Sequence, residues 1–245
     1  RDLNLWLLGF MALFSMVPEG AVLDWAAIYL GRELGSDLFR AGLGFAFFAA
    51  SMASMRFAGD AIRNRFGAVR TLRLSGAIAA AGLLGGALAP GDIVAIVNFA
   101  VAGLGVANMV PILISAAGNH PTLASGTALS TVTMVGYAGI LIAPSAIGFA
   151  ADHIGFRATY AALAVVLLLV SALANRAAAA DHLRRGRRGQ TLQAALRAQK
   201  VGLADLDAIG AQDRVAGRHV EVKVRHRKQV VIVRGRKAQL ARASL

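Results

Sequence analysis

The first place in this chain where chemistry is possible is an acid held between a helix breaker and a glycine. Pro18-Glu19-Gly20 lies inside the apolar run from Leu3 to Leu30, with Asp24 further along the same run. Proline removes one backbone hydrogen bond from a helix and glycine weakens the next turn, so a kink or break is expected at Pro18 and Gly20. A carboxyl in an apolar helix surrounded by lipid costs several kcal/mol unless it faces a wet cavity or a partner. A broken helix with an acid near mid-depth is one way a membrane protein offers a site to a proton or a polar solute. Glu19 and Asp24 are therefore candidates for such a pathway. The plainer alternative is a carboxyl that is protonated, or paired inside the bundle.

Two asparagines join them. The run 93–117 carries Asn98 and Asn108, with Gly103-Leu104-Gly105 before Asn108 and Pro111 after it. Amides in apolar surroundings must find partners, either on a neighbouring helix or in a solute bound in a cavity. Pro111 and Pro144 are further expected helix breaks. His120, in Asn119-His120-Pro121, reads as an exposed loop histidine rather than a proton relay.

The densest local pattern is Arg56-Phe-Ala-Gly59-Asp60-Ala-Ile-Arg63-Asn-Arg65-Phe-Gly67. Gly59 would allow a tight exit from a helix, and Asp60 would accept charge-assisted hydrogen bonds from Arg56, Arg63 or Arg65. Gly67 would supply a positive φ at the entry to the next helix. Such a turn could hold two helix ends together in one state and release them in another. Gly148-Phe-Ala-Ala-Asp152-His-Ile-Gly155-Phe-Arg157 is a weaker echo.

The elements that must position these residues are set by hydrophobicity. No Lys or Arg occurs between Ile93 and Arg157, and no acid between Asp92 and Asp152. So long an uncharged run cannot be hidden in a soluble domain, whereas a bilayer core of ~30 Å takes about 20 residues per helix. Six apolar stretches stand out, at about 4–30, 39–58, 71–90, 93–117, 122–151 and 157–175, predicting an all-α membrane protein of six transmembrane helices over residues 1–180. Small residues recur at helical spacing (Gly82, Gly85, Gly86; Gly136, Gly139), which suits close helix packing in lipid. Trp6 and Trp25 lie about 28 Å apart at 1.5 Å per residue, as two interfacial belts would require, with Tyr29 beside Trp25.

Charge orients the bundle. Arg56, Arg63, Arg65, Arg70 and Arg73 crowd one connection, against Arg32, Arg40 and Arg157 on the other side. The excess of arginine places the 56–73 loop, both ends of the bundle and the tail in the cytoplasm. Of the 26 Lys/Arg and 13 acids, sixteen and four fall in residues 184–245, leaving ten and nine for the body. The net +13 is thus almost all in the tail. Within 181–245 the spacing predicts a helix over 191–209 and one or two strands over 219–234, with disorder or marginal folding expected overall. That basic excess suits anionic lipid better than nucleic acid, since no aromatic follows Tyr160 to stack on bases.

The absence of cysteine excludes disulfides and thiolate chemistry. No nucleophile–base constellation, HExxH motif or phosphate-cradling loop is present, so an enzyme is the poorest fit, and neither a metal nor an organic cofactor is implied. The chain opens on Arg1, which reads as an internal portion of something larger.

With these residues in view, the chain resembles the major facilitator superfamily. The Gly59-Asp60…Arg63…Gly67 turn is similar to that family's loop signature after helix eight, although Ala68-Val69 stand where a second basic pair is usual. The Gly136…Gly139…Pro144…Gly148 segment resembles helix eleven, and residues 18–25 resemble helix seven of the bacterial sugar-permease-like branch. The resemblance covers about residues 1–180 and implies the carboxy-terminal half of a twelve-helix secondary carrier in a bacterial inner membrane. Alternating access, usually coupled to protons by symport or antiport of a small solute, is what it implies for activity. The partner would be a missing amino-terminal half or a second six-helix unit. A membrane sensor or scaffold whose basic tail docks a cytoplasmic partner or anionic lipid is the competing expectation.

Overall fold

In the computed structural model, residues 2–121 and 123–181 are described, together with 223–226, 229–234 and 237–241. They fall into two compact units, Arg1–Gly186 and Arg187–Leu245. The first is built of α1 (Leu3–Leu34), α2 (Leu38–Phe66), α3 (Ala68–Ala87), α4 (Asp92–Val106), α5 (Met109–Gly118), α6 (Ser125–Ala172) and a closing 3-10 helix, Leu173–Asp181. Four stretches are long and apolar enough to cross a membrane by length and composition: Leu3–Leu34, Leu38–Phe66, Asp92–Gly118 and Ser125–Asp181. This is an integral membrane protein of packed helices. In the second unit β1 (Lys223–His226), β2 (Gln229–Arg234) and β3 (Lys237–Ala241) form an antiparallel sheet in that order, with Val224 opposite Val231 and Val231 opposite Leu240. The alternating valines account for β1 and β2, and β3 is a strand more than they indicate. The helix expected over 191–209 lies outside the described residues.

Two backbone reversals explain where the helices end. Gly67 has φ +88° and stops α2 one residue before α3 begins. Gly155 has φ +79° and divides α6 into two arms, 125–154 and 156–172, that the hydrogen-bond ladder runs past. Only glycine adopts these angles without strain. The connection expected over 56–73 is therefore almost entirely helix. Arg56, Arg63 and Arg65 lie on α2, Arg70 and Arg73 on α3, and the loop is Gly67 alone. The apolar run ends at 58, but a helix capped by Asp37 and built of Ala61, Ile62, Arg63 and Arg65 continues past it until glycine stops it.

The prolines divide as well. Pro18 and Pro144 sit inside continuous helices, so the break expected at Pro18-Glu19-Gly20 is not there, nor one at Pro144. Pro111 does interrupt its helix. It cannot donate to the carbonyl of Ala107, and α4 ends at Val106 while α5 starts at Met109. Each of the other two prolines forfeits one bond, which a helix gripped on both sides tolerates.

Small residues set the packing. A methyl group on Gly82 would collide with the backbone of Ala102, one on Gly105 with Ala79, and one on Gly103 with the Phe48 carbonyl. At the Gly155 end, Tyr29, Phe99, Phe156 and Tyr160 form an aromatic cluster with centroids 5.2–6.4 Å apart. Its hydroxyls are satisfied by backbone, Tyr29 on the Gly86 carbonyl at 2.8 Å and Tyr160 on that of Ala21 at 3.0 Å. Tyr29 is fully buried here, not an interfacial anchor. The outward residues of α3 (Leu74, Ile78, Leu84) and of the second arm of α6 (Val165, Leu168, Leu169) are apolar, as lipid-facing surfaces must be.

Gly82→Ala should lower the thermal stability of the detergent-purified protein by about 1–3 kcal/mol, because the added methyl overpacks the α3–α4 contact. Gly91→Ala, where a methyl meets open space, should leave the melt unchanged.

Candidate functional site

At the middle of α1, Glu19 points toward α2 and meets Arg56, with Nη2 3.4 Å from Oε1. The Glu19 side chain is 24% exposed and that of Arg56 50%. The apolar stretch 39–58 puts Arg56 near the end of its helix, at the start of the basic connection; α2 runs on to Phe66, so Arg56 lies well inside the helix, where it pairs with an acid on the neighbouring helix. The contact has one point and is long for a charge-assisted hydrogen bond, which runs ~2.7–2.9 Å. Much of the guanidinium is left facing the side of the bundle that nothing here covers.

One helical turn along α2 from Arg56, Gly59 is buried in mid-helix rather than at a helix exit. A methyl there would collide with Asn108 Oδ1, so the missing side chain makes the seat for that amide. Asn108 is buried at the α4–α5 break, beside the carbonyl that Pro111 frees. Glu19, Arg56 and Asn108 thus come from three helices that touch one another. Asn98 does not join them. Its Nδ2 donates to the Val94 carbonyl at 2.8 Å and its amide lies over Gly85 of α3, a helix-packing position. Asp24 is exposed on α1, and no hydrogen bond or ion pair joins it to another described residue. Among the described residues no cluster of His, Asp and Glu could hold a metal.

At the Gly67 end, the charge pattern is wired differently from the expected one. Asp60 is exposed and paired with none of Arg56, Arg63 or Arg65. Arg63 instead donates to Ser115 Oγ at 2.6 Å and to the Ala180 carbonyl at 2.9 Å, tying α2 to α5 and the 3-10 helix. The carboxylate that serves the turn is Asp181, which accepts from the Ala68 N–H at 2.6 Å and so caps α3. Arg73 reaches Asn175 at 3.1 Å across the same junction, while Arg65 lies over the Phe66 ring. His120, expected to be exposed, has a side chain only 2% exposed, with Nε2 3.4 Å from Asp2, the residue that caps α1.

At the Gly155 end Glu33 does the corresponding work. Its Oε1 accepts from the Phe156 N–H at 2.6 Å, and its Oε2 lies 3.7 Å from Arg157. The second arm of α6 is capped by the last turn of α1. Arg40 bridges Asp37 and Asp92 nearby. Neither Glu33 nor Asp181 was legible as a site residue, since both bond to backbone far away in sequence. The Gly-Phe pair at 155–156 was the one signal that a backbone cap was needed.

Long apolar helices packed through small residues, with apolar side chains outward, define a polytopic membrane protein. The chain matches the family model of the Major Facilitator Superfamily over residues 4–222, beyond the 1–180 expected, and it belongs to that family, one of transporters and not of enzymes. It is 36% identical over 167 residues to an uncharacterised MFS-type transporter of Yersinia pestis, covering 68% of this chain and 44% of that protein. It is 32% identical over 174 residues to the membrane protein MosC of Rhizobium meliloti, covering 70% and 42%. The chain thus spans less than half the length of these relatives. Among solved structures it resembles the peptide transporter POT in complex with sulfate (TM-score 0.65, 19% identity, 90% of this chain and 49% of that one). The fucose:proton symporter FucP of E. coli is similar too (TM-score 0.64, 18% identity, 72% and 43%). At such identities the likeness is one of fold.

Asp181→Ala should cost about 1 kcal/mol by uncapping α3, whereas Asp60→Ala should leave stability unchanged. Thermal melts of the two variants side by side decide which carboxylate serves the turn.

Proposed function

We propose that this chain is the carboxy-terminal half of a secondary carrier, crossing a bacterial inner membrane six times. The crossings are α1, α2, α3, α4 with α5, and the two arms of α6. The Gly67 end, with its five arginines, lies in the cytoplasm together with the basic tail. The open face of α1 and α2 carries Asp24 and Arg56, which lipid would not tolerate, so it faces a wet pathway and the amino-terminal half or a second six-helix unit.

The observation that carries this reading is the Glu19–Arg56 pair, one contact deep and half open at the middle of the bundle. A small solute and a proton would be bound there, with Asn108 one turn away, and access would alternate between the two ends. Arg63 and Asp181 would hold the cytoplasmic ends of α2, α3 and α5 as one body, and Gly59, Arg65 and Gly67 would shape that gate. The names of the Yersinia pestis relative and of the fucose:proton symporter support solute transport and proton coupling as the reading to test.

In vesicles containing the full-length protein, Glu19→Gln should abolish proton-linked solute uptake while expression persists. Uptake that stays proton-coupled in the variant would remove Glu19 from the mechanism.

A further inference from the structure

We infer that the Gly67 end of α3 holds the headgroup of an anionic phospholipid, its phosphate on Arg70, Arg73 and Arg176 and its chains along Leu74, Ile78 and Leu173. The inference rests on the carrier reading, which places this end in the cytoplasm. Residues 70, 73, 74 and 78 share one face of α3, since positions three and four apart on a helix are neighbours. All four are exposed, and beyond Arg73 the exposed residues of α3 are apolar without exception. In a 3-10 helix residues three apart eclipse. Leu173 and Arg176 therefore repeat the pattern on the neighbouring element, both exposed. The two elements are fixed against each other at this level. Ser171 Oγ donates to the Arg73 carbonyl at 2.7 Å, and Arg73 Nη2 donates to Asn175 Oδ1 at 3.1 Å. A methyl group on Gly76 would collide with Ser171, so the helices meet closely beside the arginines.

What these arginines lack is a counter-charge. At the Gly155 end, Arg40 lies beside Asp37 and Asp92, and Arg157 beside Glu33. Arg32 stands there in the last turn of α1, where the helix dipole favours a cation. At the Gly67 end none of Arg70, Arg73 and Arg176 meets a carboxylate among the described residues. Neither α3 nor the second arm of α6 contains an acid, and Asp181 is engaged by the Ala68 N–H. Arg70 stands in the first turn of α3, at the positive end of the dipole, where an anion is favoured and a cation is not.

A phosphate answers both demands, because guanidinium groups meet its oxygens through paired N–H donors. Of the anions that carry one, a phospholipid also needs apolar surface directly beside its headgroup. Leu74 and Ile78 supply it on α3, and Leu173 on the 3-10 helix. An acidic protein segment would leave that surface uncovered. Basic surfaces between membrane helices on the cytoplasmic side suit anionic headgroups for the same reason.

The test uses the full-length carrier in detergent, titrated with phosphatidylglycerol or with phosphatidylcholine of the same chains. Bound lipid is counted by native mass spectrometry, and the melting temperature is followed alongside. Wild type should retain phosphatidylglycerol over phosphatidylcholine, melt higher with it, and lose the preference as NaCl is raised. Arg70→Gln combined with Arg176→Gln leaves the Arg73–Asn175 contact in place. Its affinity for phosphatidylglycerol should fall about fivefold per arginine removed. Arg32→Gln, at the other end of the bundle, should behave as wild type. The basic tail is common to all three proteins, so differences among them report on the bundle. No preference in wild type, or an equal preference in the double variant, overturns the proposal. Inorganic phosphate that protects against melting as well as the lipid does also overturns it, since the site would then take an anion and not a lipid. Lipid held by wild type and lost by the double variant, in a protein whose vesicles show no proton-linked flux, would sink the carrier reading and leave this site. Flux without any lipid preference would do the reverse.

Discussion

Arg56 cannot give up its charge, and a bundle that puts it at mid-depth must answer that requirement before any other. Glu19 on the next helix is the answer, and it obliges α1 and α2 to lie side by side with their ionisable faces in register. The outward residues of α3 and of the second arm of α6 are apolar, as are Phe10 and Phe14 on α1 and Phe45 and Phe47 on α2. Gly59 follows from the same placement. It clears room for Asn108 one turn from Arg56, where Pro111 has already opened the α4–α5 helix.

The two ends of the bundle use a common device: a carboxylate from one element caps the helix that follows a glycine with positive φ. Asp181 caps α3 after Gly67, and Glu33 caps the second arm of α6 after Gly155. In both cases the glycine turns the chain sharply and leaves backbone N–H groups exposed at a helix start, which a distant acid then satisfies. The repeat of the device agrees with the weak sequence echo between residues 56–67 and 148–157. It is the capping acid, not the acid inside the motif, that carries it out at the Gly67 end.

What could be read from the sequence follows from the range of the interactions involved. Hydrophobic runs, the glycine at 67 and the small-residue stripes are local or periodic, so they can be read without knowing which segments meet. Partners are not local. Asp60 was the near acid and Asp181 the true one, because a backbone N–H does not announce which carboxylate will reach it across the fold. His120 looked exposed because its neighbours are polar and proline-flanked, yet the start of α1 folds over it and brings Asp2 alongside. The prolines were ambiguous for a related reason. Each removes one bond, and whether the helix breaks depends on how firmly its neighbours hold it, as they hold α1 at Pro18.

The distribution of ties along the bundle bears on how such a unit would move. At the Gly67 end, Arg63, Arg73 and Asp181 make four hydrogen bonds of 2.6–3.1 Å between elements. At the Gly155 end, Glu33, Tyr29 and Tyr160 bind three helices to one another at 2.6–3.0 Å. Between these ends, the charged contact at mid-depth is a single 3.4 Å approach with solvent-facing donors to spare. Short bonds to backbone, such as those of Asp181, Tyr29 and Tyr160, resist exchange most where they are buried, because breaking one strands a polar group. A long, half-open ion pair resists it least, since water reaches both partners. The loosest tie between α1 and α2 therefore lies where their charges meet, and the closer ties lie toward the two ends.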